Sequence, residues 1–281
     1  MTVQTTVGGN VAGRTRRQLP PAKRKISNRL VLASQIVVLV GFVVIWALFA
    51  QSDVAKRADM SGPGATVLAL VDLAATSDYW LALLTTLESW AMALLLALAV
   101  GIPIGLFIGR NSFAFDSSKG TIDFLRTIPA VAFVPLFLLI LGQSQLMVVL
   151  VAMIPAVWPL MIQSIAAGQQ ADPILHRVAR SYGLTITDRI TFVLAPQALA
   201  FIWPGIRLAT TTSLLAVVFS ELLGGREGIG VALMDAQIYN QSEQLYAWVL
   251  TACFLGLLIN AGLAVIQKYV LGWHPAFRGK E

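Results

Sequence analysis

Few side chains in this sequence are suited to chemistry, and their spacing excludes most of it. Cys253 is the only cysteine and sits within an apolar run, so no internal disulfide and no cysteine-bound metal cluster can form. It reads as a small apolar residue in a helix interface. The two histidines, His176 and His274, lie far apart in the chain, which argues against a metal site; neither metal nor cofactor is expected. No G-x-x-x-x-G-K-[ST] phosphate loop occurs, so any ATP chemistry must be done by a partner. A membrane-embedded enzyme would gather His, Asp or Cys at span ends facing one side, and this chain does not.

The remaining candidates are acidic or hydroxylic. Glu88 and Glu221 are the carboxylates within predicted apolar spans. A charge at a helix centre costs about 2.5–3.5 kcal/mol on insertion scales, so each needs a partner, a watery cavity or an interfacial position. Glu221, beside Ser220 near the end of its span, can face a polar path, touch the loop that follows, or lie solvated at the interface. Glu88 sits early in its span and reads as interfacial. Thr210, Thr211, Thr212 and Ser213 form a hydroxyl cluster; such residues bond back to their own helix, pack between helices or line a path. Thr211, Thr212, Ser220 and Glu221 are the path candidates. A transporter driven by an ion gradient would place ionisable groups near the midplane and preferably show an inverted repeat; these carboxylates lie off-centre and no such repeat is visible.

The elements that position these residues are apolar. The chain is 57% hydrophobic and only 12% charged over 281 residues, with mean hydropathy +0.76. Soluble domains are about 25% charged, so this is a polytopic all-α membrane protein. Six spans of about 20 residues are expected at 30–50, 81–108, 121–141, 146–165, 198–222 and 246–271. Residues 1–29 form a basic cytoplasmic tail and 272–281 a short cytoplasmic tail. The first apolar stretch exceeds a signal-peptide core, which favours an uncleaved anchor. A weak amphipathic helix is expected at 65–75, a polar turn at 110–120 and a short helix at 231–241. Gly101, Pro103, Gly105 and Gly109 loosen or thin the second span, with packing as the simpler reason.

Net charge is +6, and its distribution follows topology. With the N-terminus inside, the seven tail cations and ten others, from Arg110 to Lys280, fall on inside segments. Only Lys56, Arg57 and Arg226 fall outside. That is the asymmetry of the positive-inside rule. It removes the main reason to invoke nucleic acid, and the basic tail reads as a topology and anionic-lipid signal.

The same rule puts the longest non-spanning run of the second half, Asp172–Pro196, in the cytoplasm. Asp172-Pro173 suits a helix start, with the acceptor at N-cap and proline at N1. Ile174, Val178, Ser181 and Tyr182 form one face, and Gly183 stops the helix. A second helix restarts at Thr185 or Thr187, and Pro196 is expected to interrupt it.

Arg177-Val178-Ala179-Arg180-Ser181-Tyr182-Gly183, followed by Ile190 and Ala195-Pro196, resembles the "EAA" loop of inner-membrane permeases of bacterial ABC importers. Ala179, Gly183, Ile190 and Pro196 match that pattern; Arg177 stands where the family has glutamate, Val178 where it has alanine, and Ala195 where it has leucine. LRTIPAVAFVPLFLLILG at 125–142, IWPGIRLA at 202–209, SELLGGREGIG at 220–230 and GWHPAFR at 272–278 are similar to the subfamily importing nitrate, taurine and alkanesulfonates. The resemblance implies six spans of the type I importer kind, working as a homodimer in the bacterial inner membrane. It also implies two copies of a cytoplasmic ATPase that dock on residues 177–183, and one external solute-binding protein.

Overall fold

In the computed structural model the described residues are 28–170 and 173–273. The basic tail before residue 28, the Asp172 cap and the tail after Trp273 lie outside them. The chain divides into two units, one ending at Trp46 and one beginning at Ala47. Helix α1, Asn28–Ala50, is the first apolar span.

The second unit is all-helical. After α2 (Asp53–Arg57) and α3 (Pro63–Ala74) come the long α4 (Ser77–Arg110) and α5 (Ser112–Leu125). A 3-10 turn, Ala130–Phe133, leads to α6 (Val134–Leu141) and α7 (Gln145–Gln169). Then follow α8 (Pro173–Ser181), α9 (Ile186–Arg189), a π-turn at Ile190–Leu194, α10 (Ala195–Gly224), α11 (Ile229–Ile238) and α12 (Ser242–Leu271). Among the described residues, five helices are long and apolar enough to cross a membrane, or six if one bent pair counts as a span. The spans outrun their apolar stretches because polar caps carry the helices on. Thr76 accepts from the Tyr79 amide at the start of α4, and Ser144 from the Met147 amide at the start of α7.

The expected third span is bent. Residues 121–141 are not one rod: α5 and the helix ending at Leu141 meet at 78°. Proline disfavours helical geometry in the residue before it, so α5 ends at Leu125, and Pro129 itself, with extended backbone, leads into the 3-10 turn. The expected polar turn at 110–120 is corrected. It is helical from Ser112, because the Asn111 side chain caps the Ala114 amide at 3.2 Å.

Helix α7 is the centre of the bundle, packed against α4 on one side and α10 on the other. On α4, Ser89, Ala93, Ala97, Gly101 and Gly105 recur every four residues and are all buried. Such a stripe lets two helix backbones approach closely. A Cβ on Gly105 would sit 2.6 Å from the Met161 carbonyl oxygen, and one on Gly101 3.0 Å from Leu160 Cβ. The glycines therefore serve packing. Gly105→Leu is expected to destabilise the bundle by about 1–3 kcal/mol or more through overpacking, read as a lower midpoint in thermal unfolding of the purified protein. Gly262→Leu is the control, since nothing lies within 4 Å of a Cβ there.

A second cluster joins α11 and α12 to the start of α4 through Ile229, Leu233, Trp248, Leu255 and Tyr79. The Tyr79 ring stacks on Trp248 with centroids 5.2 Å apart.

Candidate functional site

Two local structures stand out from the bundle: the α8–α9 corner and the loop that closes over Glu221. In the corner, the Gly183 amide donates to the Arg180 carbonyl and the Leu184 amide to the Ala179 carbonyl. With Gly183 at φ +66°, this is a Schellman ending, which glycine adopts without a Cβ penalty. Of the two threonines considered, Thr185 caps α9 in a reciprocal capping box with Asp188. Arg189 Nε donates to the Leu184 carbonyl at 2.8 Å, and Gln197 Nε2 to the Gln170 carbonyl at 3.4 Å. The corner is thus held by its own hydrogen bonds.

Pro196 does not interrupt the second helix, contrary to expectation. Residues from Ile186 to Gly224 form one continuous helical rod. A proline inside an α-helix clashes with the carbonyl four residues back. Here the turn before it widens to a π-turn in which the Ala195 amide reaches back to Ile190, so the α10 ladder starts with Pro196 in its first turn. The α8–α9 corner is therefore joined rigidly to a membrane-length helix.

The residues of this corner divide by exposure. Ala179 is buried, and α8 packs on the π-turn. Arg177, Arg180, Ser181 and Gly183 are exposed, as are the apolar surfaces of Val178, Tyr182 (82% exposed) and Ile186. The side chains of Ile174 and His176 lie outside the described set. Ser181 Oγ donates back to the Arg177 carbonyl.

The hydroxyl cluster of α10 behaves as helix side chains do. Thr211 Oγ1 donates to the Arg207 carbonyl and Thr212 Oγ1 to those of Leu208 and Ala209. Thr211 is exposed and Thr212 half-buried, whereas Ser220 is buried and donates to the Ala216 carbonyl.

Glu221 is 2% exposed, so the solvated reading is corrected and its contact with the following loop is observed. Thr86 Oγ1 lies 2.9 Å from both carboxylate oxygens and shares its one proton between them. The Gly230 amide donates to Oε2 at 3.0 Å, and the Ile229 amide donates to Thr86 Oγ1 at 2.9 Å. Gly228, at φ +131°, has no room for a Cβ, which would fall on the carboxylate. A Cβ on Gly225 would meet Glu221 Cα at 2.6 Å. Gly225, Gly228 and Gly230 thus pack the loop tightly onto Glu221, with Gly228 against its carboxylate. Sequence reasoning missed Thr86, which lies two residues before Glu88 and so on the opposite side of α4; no local signal marks it.

Bundle, continuous rod and exposed corner together describe a multi-pass helical membrane protein. Residues 101–271 match the family described as the inner membrane component of binding-protein-dependent transport systems, and the chain belongs to it. It is similar to SsuC of Bacillus subtilis, named for aliphatic sulfonates transport, at 27% identity covering 84% of this chain and 86% of that protein. It is also similar to the nitrate import permease protein NrtB of Synechocystis, at 31% identity covering 62% of this chain and 64% of that one. The fold matches a chain in inward-facing structures of the MetNI methionine ABC transporter with TM-score 0.56 and 16% identity, covering 66% of this chain and 93% of that chain.

Proposed function

We propose that this permease works as a homodimer with two copies of a cytoplasmic ATPase and one external binding protein, and that residues 177–183 are where the ATPase docks. The observation that carries this reading is the exposed apolar and cationic surface of α8, presented on a hydrogen-bonded corner continuous with α10. A rigid rod passes displacement on, whereas a loose loop absorbs it. ATP binding draws the ATPases together and shifts the permease toward an outward-open state; hydrolysis resets it. The energy available for that shift is the ATPase's differential affinity for the two states.

Both termini are cytoplasmic in this proposal, supported by the distribution of Lys and Arg. The solute is a small anion of the nitrate or sulfonate type, supported by the names of the two relatives. Thr211 and Thr212 are the path candidates with exposed surface; Ser220 and Glu221, buried within the protomer, shape its wall.

The test is affinity purification of the tagged permease from gently solubilised native membranes, followed by ATP-driven uptake of labelled nitrate and ethanesulfonate in proteoliposomes. A phosphate-loop ATPase is expected to co-elute and the eluate to hydrolyse ATP. A permease that elutes alone, under conditions that preserve a comparable complex, overturns the reading.

A further inference from the structure

We infer that an apolar groove at the base of α10 is the seat of this chain's own segment after Trp273, with the Phe277 ring as its anchor. The groove has a volume of about 470 Å³, within the roughly 300–1,000 Å³ of pockets that enclose small molecules, so one aromatic ring fits. Ile102 and Leu106 line it from α4, Pro196, Leu199 and Ile202 from α10, and Trp273 from just beyond α12. Thr191 of the π-turn also lines it, and the Trp273 indole N–H already donates to the Val270 carbonyl at 2.9 Å. The other described lining residues are apolar. The groove therefore offers burial to a hydrophobic group and no charge to a polar one.

Chain continuity names the occupant. Helix α12 ends at Leu271, which is fully buried and clusters with Ala200 and Trp203 of α10. The point where the chain leaves α12 is thereby fixed to α10. Trp273, two residues on, is half exposed and is itself a lining residue, so the segment His274-Pro275-Ala276-Phe277 sets out from within the site it would fill. Pro275 disfavours helical geometry at His274, which turns the chain off the α12 axis. Phe277 follows Trp273 by four residues, a reach of up to roughly 13–14 Å at 3.3–3.6 Å per residue, more than a groove of this volume is wide. A segment tethered so closely has an effective concentration in the millimolar range, which a separate protein lacks.

The seat lies on the joint between the α8–α9 corner and α10. Thr191 belongs to the π-turn, Ala195 follows it, and Pro196 sits in the first turn of α10; all three line the groove. A ring lodged among these residues, the inner end of α4 and the end of α12 braces that joint from the side. Arg278 and Lys280 come directly after the anchor, where they can stay in polar surroundings and meet anionic headgroups. This bracing holds whether or not an ATPase docks on residues 177–183.

The experiment is photo-cross-linking of the full-length permease in nanodiscs, with p-benzoylphenylalanine replacing Phe277 and the adducts mapped by peptide mass spectrometry. Adducts are expected within one chain, on residues 102–106 or 195–202. A second measurement avoids the bulky probe. With Cys253→Ser removing the native thiol, Phe277→Cys paired with Leu106→Cys should form a disulfide under mild oxidation at least tenfold faster than Phe277→Cys paired with Leu139→Cys. Leu139 is an exposed α6 residue outside the groove. Where the two measurements disagree, the disulfide ratio decides, and a ratio near one overturns the inference. Adducts confined to lipid, with that ratio, would assign the groove to an acyl chain; adducts confined to a second copy would assign it to a permease contact.

Discussion

Replacing Gly228 with valine is expected to lower the stability of the permease by roughly 3–5 kcal/mol, mainly by evicting the Glu221 carboxylate from its loop. Two effects add. A β-branched residue at φ +131° is strained by about 1–3 kcal/mol. The Cβ also falls on the carboxylate, so the Gly230 amide and the Thr86 hydroxyl lose their acceptor. Each buried polar group left unsatisfied costs about 1–3 kcal/mol. Glu221→Ala should show the second effect without the first. Glu221→Gln should cost less: its amide oxygen can still accept from Gly230, but its NH2 group cannot accept the Thr86 proton. The order Gly228→Val, then Glu221→Ala, then Glu221→Gln, from most to least destabilised, is readable by thermal unfolding in nanodiscs. A Gly228→Val protein that melts with wild type would falsify the tight packing of this loop onto Glu221.

That loop also shows where sequence reasoning succeeds and where it stops. The spans are legible because 20-residue apolar runs with charged flanks have few other uses. The Gly183 turn is legible because helix, glycine and a restart at Thr185 each carry a local signal. What failed depended on partners or on context. Thr86 and Glu221 are 135 residues apart in sequence, and no periodicity announces that a hydroxyl in one span meets a carboxylate in another. The bend of the third span was not legible because its direction changes at Pro129, where a missing amide hydrogen and a steric clash act locally while the apolar pattern runs on. Pro196 failed in the opposite sense. Proline predicts a break, but a π-turn of five residues upstream absorbs the clash and leaves the rod continuous. In both cases the proline was visible and its consequence depended on whether the preceding turn could widen.

The corner at Gly183 gives the second large effect. Tyr182→Ala is expected to weaken ATPase association about tenfold to a hundredfold, since truncating a central aromatic anchor typically costs 2 kcal/mol or more and about 1.4 kcal/mol is tenfold. The ring is 82% exposed and contributes little to the fold of the free permease, so its removal should leave thermal stability unchanged. Gly183→Val acts by another route. Open space surrounds the position, so packing is not at issue, but a valine at φ +66° strains the Schellman ending and redirects α8 against α9. Here the ATPase should still bind weakly while its hydrolysis no longer drives uptake. Arg177, standing where related loops have glutamate, predicts an acidic counter-surface on the ATPase; association should therefore weaken with salt more steeply in wild type than in Arg177→Gln. Co-purification, ATP hydrolysis and uptake measured on one preparation separate these effects. Full transport by both Tyr182→Ala and Gly183→Val would mean that force reaches α10 by some other contact.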